Sequence, residues 1–333
     1  MKKQWMIVGA LIVLFFGLWF MASRQKTSAP QSQQERAFIT PPVIRQSLMP
    51  QPLSTGPITY SGMPAAIFPE SVPYYTITRV RNFETERDRL FALYNITSAP
   101  NTIVGSKGRY ASFLQGTKSG TLSESPLTFT YRSVVTSNKF VTNNAEQHVA
   151  ATISMLAELS VLPPPFTATM SAQRFFAFTD PHPRELGSAQ GAVITQLDFV
   201  AMVGSIPLYI NDADSPAFSA SFNGDNALTE LRAIILPDIT KDDKNLSIIS
   251  YKEALERLKN NAGIFSSVSL TRTGEKEFMT GAPPSTITVQ NVSLGFFYAP
   301  NQEFLVPVFV FTGVAAEPNE KAVLRTTTVV SAL

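Results

Sequence analysis

Trp5-Met-Ile-Val-Gly-Ala-Leu-Ile-Val-Leu-Phe-Phe-Gly-Leu-Trp-Phe-Met21 is the run whose reading sets the fold expected of everything after it. No ionisable residue interrupts the chain between Lys3 and Arg24. The 20 residues from Gln4 to Ser23, at a helical rise of about 1.5 Å each, reach about 30 Å, the thickness of a bilayer's hydrocarbon core. This predicts one transmembrane helix, with Trp5, Ile7, Leu11, Leu14, Phe15, Phe16, Leu18, Trp19 and Phe20 as the membrane anchor. A cleaved signal peptide is the rival reading. It requires a shorter apolar core ending in small residues, whereas Leu18-Trp-Phe-Met21 are bulky, so an uncleaved signal anchor is expected. Lys2, Lys3 and the amino terminus outweigh Arg24 and Lys26 by a narrow margin. The expected location is therefore the cytoplasmic membrane, single-pass, with the N-terminus inside and the C-terminal domain outside.

Composition narrows the classes of function. With 27 basic and 25 acidic residues, the net charge of +2 lacks the one-sided excess of a nucleic-acid binder. The absence of cysteine excludes disulfides, thiolate metal sites and cysteine nucleophiles, and fits an oxidising bacterial exterior.

Outward from the anchor, residues 24–73 carry nine prolines among Gln, Ser and Thr, and read as a partly extended tether. A first helix-plus-strands unit is expected over 74–141. It comprises a strand at Tyr74 to Val80, a helix over Glu84 to Tyr94 with Glu86 among its water-facing residues, and strands at Arg109 to Leu114 and Leu127 to Tyr131. A second unit, 142–240, begins with a helix capped by Asn143, with Glu146 in a capping-box position and Val149, Ile153, Leu156 and Ser160 on one stripe. Pro163-Pro-Pro165 ends it. Strands follow at Gln173 to Phe178, Ala192 to Ala201, Ala217 to Phe222 and Leu228 to Leu236, the last pair joined at Asn223-Gly224. The third unit, 241–333, opens on the capping box Ser250-Tyr-Lys-Glu253, with Ala254, Leu255 and Leu258 inward and Gly263 as terminator. Its strands are expected at Thr286 to Tyr298, with a bulge near Gly295, at Phe304 to Thr312 and at Lys321 to Val330. Pro307 argues for an edge strand or a bulge. The fold class expected is α+β: an N-terminal transmembrane helix, a Pro-rich tether, then repeated units of one helix packed on an antiparallel sheet.

Three stretches carry a likeness: Ile249-Ser-Tyr-Lys-Glu-Ala-Leu-Glu-Arg-Leu258, Val292-Ser-Leu-Gly-Phe-Phe-Tyr298 and Phe304-Leu-Val-Pro-Val-Phe-Val-Phe311. Together they resemble the C-terminal part of YycH/YycI-type membrane-anchored two-component regulatory proteins and, more loosely, PepSY-like modules. The resemblance covers the last third of the chain and Val193 to Leu236 more vaguely. It implies an extracytoplasmic α+β region that binds or restrains other membrane or envelope proteins, such as a sensor kinase, without catalysis.

No constellation in the chain carries an obvious reaction. The two histidines, His148 and His182, lack the spacing of a helical metal pair, and no Gly-x-Ser-x-Gly turn occurs. Asn211-Asp-Ala-Asp-Ser215 lacks the glycine and glutamate of a calcium loop and reads as a hairpin. Asp242-Asp243 beside Lys241 and Lys244 reads as a polar turn, and Gly105-Ser-Lys-Gly108 lacks the phosphate-loop pattern. Asn95, Asn245 and Asn291 begin short glycosylation patterns. No catalytic, cofactor-binding or metal residue is assigned, and no cofactor is expected. Aromatic residues at Phe175-Phe-Ala-Phe178, Phe296-Phe-Tyr298 and Phe309-Val-Phe311 exceed what the helices need, and an open sheet edge binds extended peptides through its backbone. Phe304, Val306, Val308 and Val310 are the candidate partner-binding strand. The function expected is that of a membrane-anchored extracytoplasmic binding or regulatory protein, with the bilayer and a membrane or envelope protein as partners and no nucleic acid. An envelope enzyme and a structural subunit are the alternatives.

Overall fold

The computed structural model describes residues 56–62, 67–94, 96, 101–105, 108–134, 137, 139–179, 182–210, 215–270, 276–277, 286–299, 302–316 and 323–333. All of them belong to one compact unit, Ile39–Leu333; the other unit, Met1–Phe38, lies outside the described residues.

Strands β1 (Ile58–Tyr60) and β2 (Ser71–Arg79) precede helix α1 (Phe83–Leu93). A meander of β3 (Asn101–Gly105), β4 (Gly108–Gln115), β5 (Lys118–Glu124) and β6 (Leu127–Ser133) leads to α2 (Ala145–Glu158). Then come β7 (Phe166–Thr179), β8 (His182–Leu186), β9 (Ile194–Val203), β10 (Ile206–Ile210), β11 (Phe218–Asn223), β12 (Leu228–Ile234) and β13 (Asp238–Ser247). Helix α3 (Tyr251–Lys259) is followed by β14 (Ile264–Leu270), β15 (Lys276–Glu277), β16 (Thr286–Tyr298), β17 (Val306–Ala316) and β18 (Val323–Ser331).

Among the described residues these strands make one large sheet and one small one. On one side of the large sheet, β8, β7, β9, β11, β12, β6, β5, β4 and β3 pair antiparallel in that order. On the other, β15, β14, β18, β17 and β16 pair antiparallel, and β10 joins the halves by running antiparallel to β9 and parallel to β16. Strand β1 also runs parallel to β16, while β2 and β13 form the separate pair.

Local chemistry explains each helix. Asn82 caps α1 by accepting from the amides of Glu84 at 2.9 Å and Thr85 at 3.3 Å. Phe83, Leu90 and Phe91 point inward, and Phe91 meets Phe113 edge-on at 5.2 Å. Glu86, expected to face water, is buried. Arg81 at 3.2 Å and Arg89 at 2.5 Å pair with its carboxylate and make that burial tolerable. Helix α2 is rotated by one residue from the expected stripe, so that His148, Thr152 and Leu156 are its buried line. Its first residue follows Asn144, which makes no side-chain cap, so the capping box expected at Asn143 and Glu146 does not form. In α3 the Ser250 hydroxyl accepts from the Glu253 amide at 3.2 Å and Ala254, Leu255 and Leu258 are buried, as their spacing predicts.

Two apolar cores follow from strand alternation. In β17, Val306, Val308 and Val310 enter the larger core, while Phe309, Phe311 and Ala315 enter a second core beside α3. Both faces of the strand are buried, which is why its sequence is apolar without a break.

Several expectations are corrected here. The α+β plan of repeated helix-on-sheet units is replaced by a mostly β fold. Among the described residues three helices accompany eighteen strands, and strands from all three expected units hydrogen-bond into one sheet instead of closing three small ones. The expectation of a transmembrane segment and signal anchor, and of a single-pass location in the cytoplasmic membrane, is likewise not supported. Among the described residues no helix is long and apolar enough to cross a membrane. The longest, α2, has 14 residues, about 21 Å at 1.5 Å each, against the roughly 30 Å required. The anchor residues Trp5, Ile7, Leu11, Leu14, Phe15, Phe16, Leu18, Trp19 and Phe20 lie outside the described residues, as does the tether up to residue 55. Lys241 to Lys244, expected as a turn, lie inside β13, where the pairing with β2 is irregular between Lys241 and Asn245. The irregularity expected at Gly295 falls instead between Val289 and Asn291.

Candidate functional site

A strand with one buried face carries every second residue outward, and in the nine-strand half of the sheet those outward residues line up across strands. One row runs Leu114, Ser119, Arg132, Glu230, Ser221, Gln196 and Arg174. The next runs Ser112, Thr121, Thr130, Arg232, Ser219 and Asp198. A third places Phe176 beside Ile194 and Asn223. The opposite face holds Leu122, Phe129, Leu231, Phe222 and Leu197, all buried. Helices α1 and α2 cover that inner face, α2 through His148, whose ring stacks on Phe222 at 4.3 Å. The outer face is thus a polar lattice, with Leu114, Tyr110 and Arg132 exposed and most of its remaining members half-buried.

Two concavities lie on this face. The larger, about 770 Å³, is floored by Ile194, Gln196, Ser221 and Glu230 and walled by Val134, Phe140, Phe176 and Phe178. Phe178 is 71% exposed, Val134 71% and Phe140 63%, an arrangement that keeps large apolar groups in water around one groove. The smaller, about 350 Å³, is lined by Tyr110, Thr121, Thr130, Arg132 and Arg232 together with further serine and threonine side chains. Arg132 borders both.

Ion pairs fix the charged members. Arg174 donates to Asp198 at 2.7 Å, and Gln196 donates to the other oxygen of that carboxylate at 2.9 Å. Arg132 donates to Glu230 at 3.2 Å, a hydrogen bond that raises the guanidinium's pKa above its ordinary value. At the groove's margin Lys139 and Asp225 lie 2.5 Å apart; their mutual hydrogen bond raises the lysine and lowers the aspartate. Arg232 donates from Nη1 to the Pro216 carbonyl at 3.1 Å and, among the described residues, pairs with no carboxylate.

The residues singled out in the sequence take other places. Phe304, Val306, Val308 and Val310 are buried; the strand they head lies between β16 and β18, with both backbone edges in use, and offers no open edge to a partner. His148 is a core residue whose Nε2 lies 3.0 Å from the Asn226 side-chain oxygen, and His182 begins β8. Among the described residues no three His, Asp or Glu side chains are grouped to hold a metal. Asn95, residues 106–107 and residues 211–214 lie outside the described residues. Of the aromatic clusters, only Phe175-Phe-Ala-Phe178 contributes to the groove, through Phe176 and Phe178. Arg132, Glu230, Arg232, Gln196 and Phe140 were not singled out; the available signal was the alternation in the middle of β6, β9, β11 and β12, where Thr130, Arg132, Gln196, Asp198, Ser219, Ser221, Glu230 and Arg232 point outward between the inward Phe129, Leu197, Phe199, Ala220, Leu231 and Ala233.

No protein-family model matches the chain, and no curated protein matches it.

Proposed function

We propose that this is a noncatalytic binding protein that regulates another protein by holding an extended segment of it against the outer sheet face, with apolar side chains of that segment in the larger groove. The observation that carries the reading is the convergence of Val134, Phe140 and Phe178, each well exposed, on one groove floored by a rigid sheet. Aromatic residues in such a rim supply much contact area for little lost side-chain freedom. The polar floor, with Gln196 and Ser221 half-buried, supplies hydrogen bonds that fix register. A regulatory partner, a sensor kinase first, is the class that the likeness to YycH/YycI proteins suggests.

Selection of random 12-residue peptides on the purified full chain tests this. Peptides rich in aromatic and aliphatic residues are expected, and Phe178→Ser is expected to weaken their binding at least tenfold, the loss of about 1.4 kcal/mol or more from one anchor. Failure to enrich any sequence, or an affinity unchanged from the parent in both Phe178→Ser and Phe140→Ser, would sink the reading.

A further inference from the structure

We infer that the smaller cavity on the outer face is an oxyanion site, taking a carboxylate or a phosphate group of the ligand that lies on this face; the inference rests on the reading of that face as a binding surface. Three features of the cavity point the same way. Its lining holds two guanidinium groups and no carboxylate, so its field selects anions over cations. Arg232 is pre-positioned: it is half-buried, its Nη1 is tied to the Pro216 carbonyl at 3.1 Å, and its remaining N–H groups have no acceptor among the described residues. A planar fork held in this way matches the two oxygens of a carboxylate or phosphate.

The hydroxyls around it divide into two sets. Ser123 and Thr128 donate to the Pro126 carbonyl at 3.3 Å and 3.0 Å, so their protons are committed. Thr121 and Thr130, in the same cross-strand row as Arg232, have no side-chain partner among the described residues and are free to donate to an anion. The volume of about 350 Å³ exceeds by roughly tenfold the 30 Å³ share of one water, enough for such a group and its remaining hydration.

Arg132 adds a coupling between the two concavities. It borders both, its side chain is 64% exposed, and its only carboxylate partner among the described residues is Glu230 at 3.2 Å. An oxyanion in the smaller cavity competes with Glu230 for this guanidinium. The ligand implied carries an acidic group a short distance from its apolar one.

The test is a titration of the isotope-labelled full chain with sodium phosphate and, separately, sodium acetate at constant ionic strength, reading the Arg side-chain Nε–H signals and the Thr121 and Thr130 amides. Saturable shifts at Arg232 and both threonines are expected with at least one anion, and the anion that produces them tells phosphate from carboxylate recognition. Arg232→Gln should weaken the effect about tenfold or more, Thr130→Val severalfold while keeping its shape, and Glu230→Gln should strengthen it by releasing Arg132. No saturable shift with either anion overturns the inference, as does an affinity unchanged from the parent in both Arg232→Gln and Thr130→Val. If the selected peptides still bind through Phe178 in that case, the oxyanion site alone falls; if anions bind and peptides do not, the protein-segment reading alone falls.

Discussion

Arg109 shows how a single side chain holds a hairpin of this sheet. Its backbone amide donates to Glu124 Oε2 at 2.9 Å, its Nη2 to Oε1 at 2.5 Å, and its guanidinium also pairs with Glu84 at the start of α1. The Arg109 side-chain hydrogen bonds, and next its amide, hold the Glu124 carboxyl at about 2, far below the ordinary carboxylate value. Because the folded value is lowered, the contribution is complete above about 4.5, the unfolded value, and is lost as pH falls through the window from 4.5 to 2. Carboxyl NMR of Glu124 should therefore give a midpoint near 2, and Arg109→Met should return it to the ordinary range; an unchanged midpoint in that variant would refute the cause. Residue-scale features of this kind divide by distance along the chain. The Ser250 cap was readable because its acceptor and donor are three residues apart, whereas the burial of Glu86 depends on Arg81, Arg89 and the packing of α1 on the sheet.

The strands show what a local pattern can and cannot reveal. Thr286–Tyr298 coincides with the strand expected from its β-branched and aromatic residues. Yet Pro307 argues for an edge or a bulge, and β17 has neither there: it pairs on both sides with no register shift at that residue. Pro307 sits opposite Ala332 and accepts its amide proton at 3.0 Å, but has no proton to return; the Ile249 amide donates to the Ala332 carbonyl instead, at 2.8 Å. A segment 58 positions away in sequence thus supplies the missing donor, and nothing around Pro307 announces it. Gly120 makes the converse point. It lies opposite Phe113, and a Cβ there would fall 2.0 Å from that ring, so the glycine is the space the aromatic fills. Gly120→Ala is expected to destabilise by about 1–3 kcal/mol through overpacking. Phe113→Leu in the same chain should recover part of that loss in urea unfolding. Strictly additive losses would show that the two residues do not share this space.

The whole molecule is governed by the division between a face that is covered and one that is not. Phe309 is fully buried and meets Phe68 edge-on at 5.2 Å, while Phe178 stands in water. Phe309→Ala should cost about 3–5 kcal/mol, and Phe178→Ser should stay within about 0.5 kcal/mol of the parent in the same thermal-unfolding measurement. A large loss in Phe178→Ser would make the groove part of the core and not a surface. This division was half legible. Alternation identified the half-buried strands, but which of them adjoin was not, because the pairing partners are far apart: Arg132 faces Glu230, and Ile58 faces Ile287. Helix-then-strand order therefore predicts repeated small units where the pairing makes one large sheet.

Strand β16 takes β1 along one part of its edge and β10 along another, and closes on β17 at the other side. A ribosome making this chain from its N-terminus releases β1, β2 and most of the outer-face lattice before β16 exists. Ile58 waits for a partner 229 positions later, and β2 waits for β13. Early chain segments consequently spend synthesis with unpaired strand edges, and the half of the sheet that carries the groove closes before the half that anchors it. Such high contact order makes folding slow and places its last step near the end of translation, so a chain halted before residue 286 has no native place for β1.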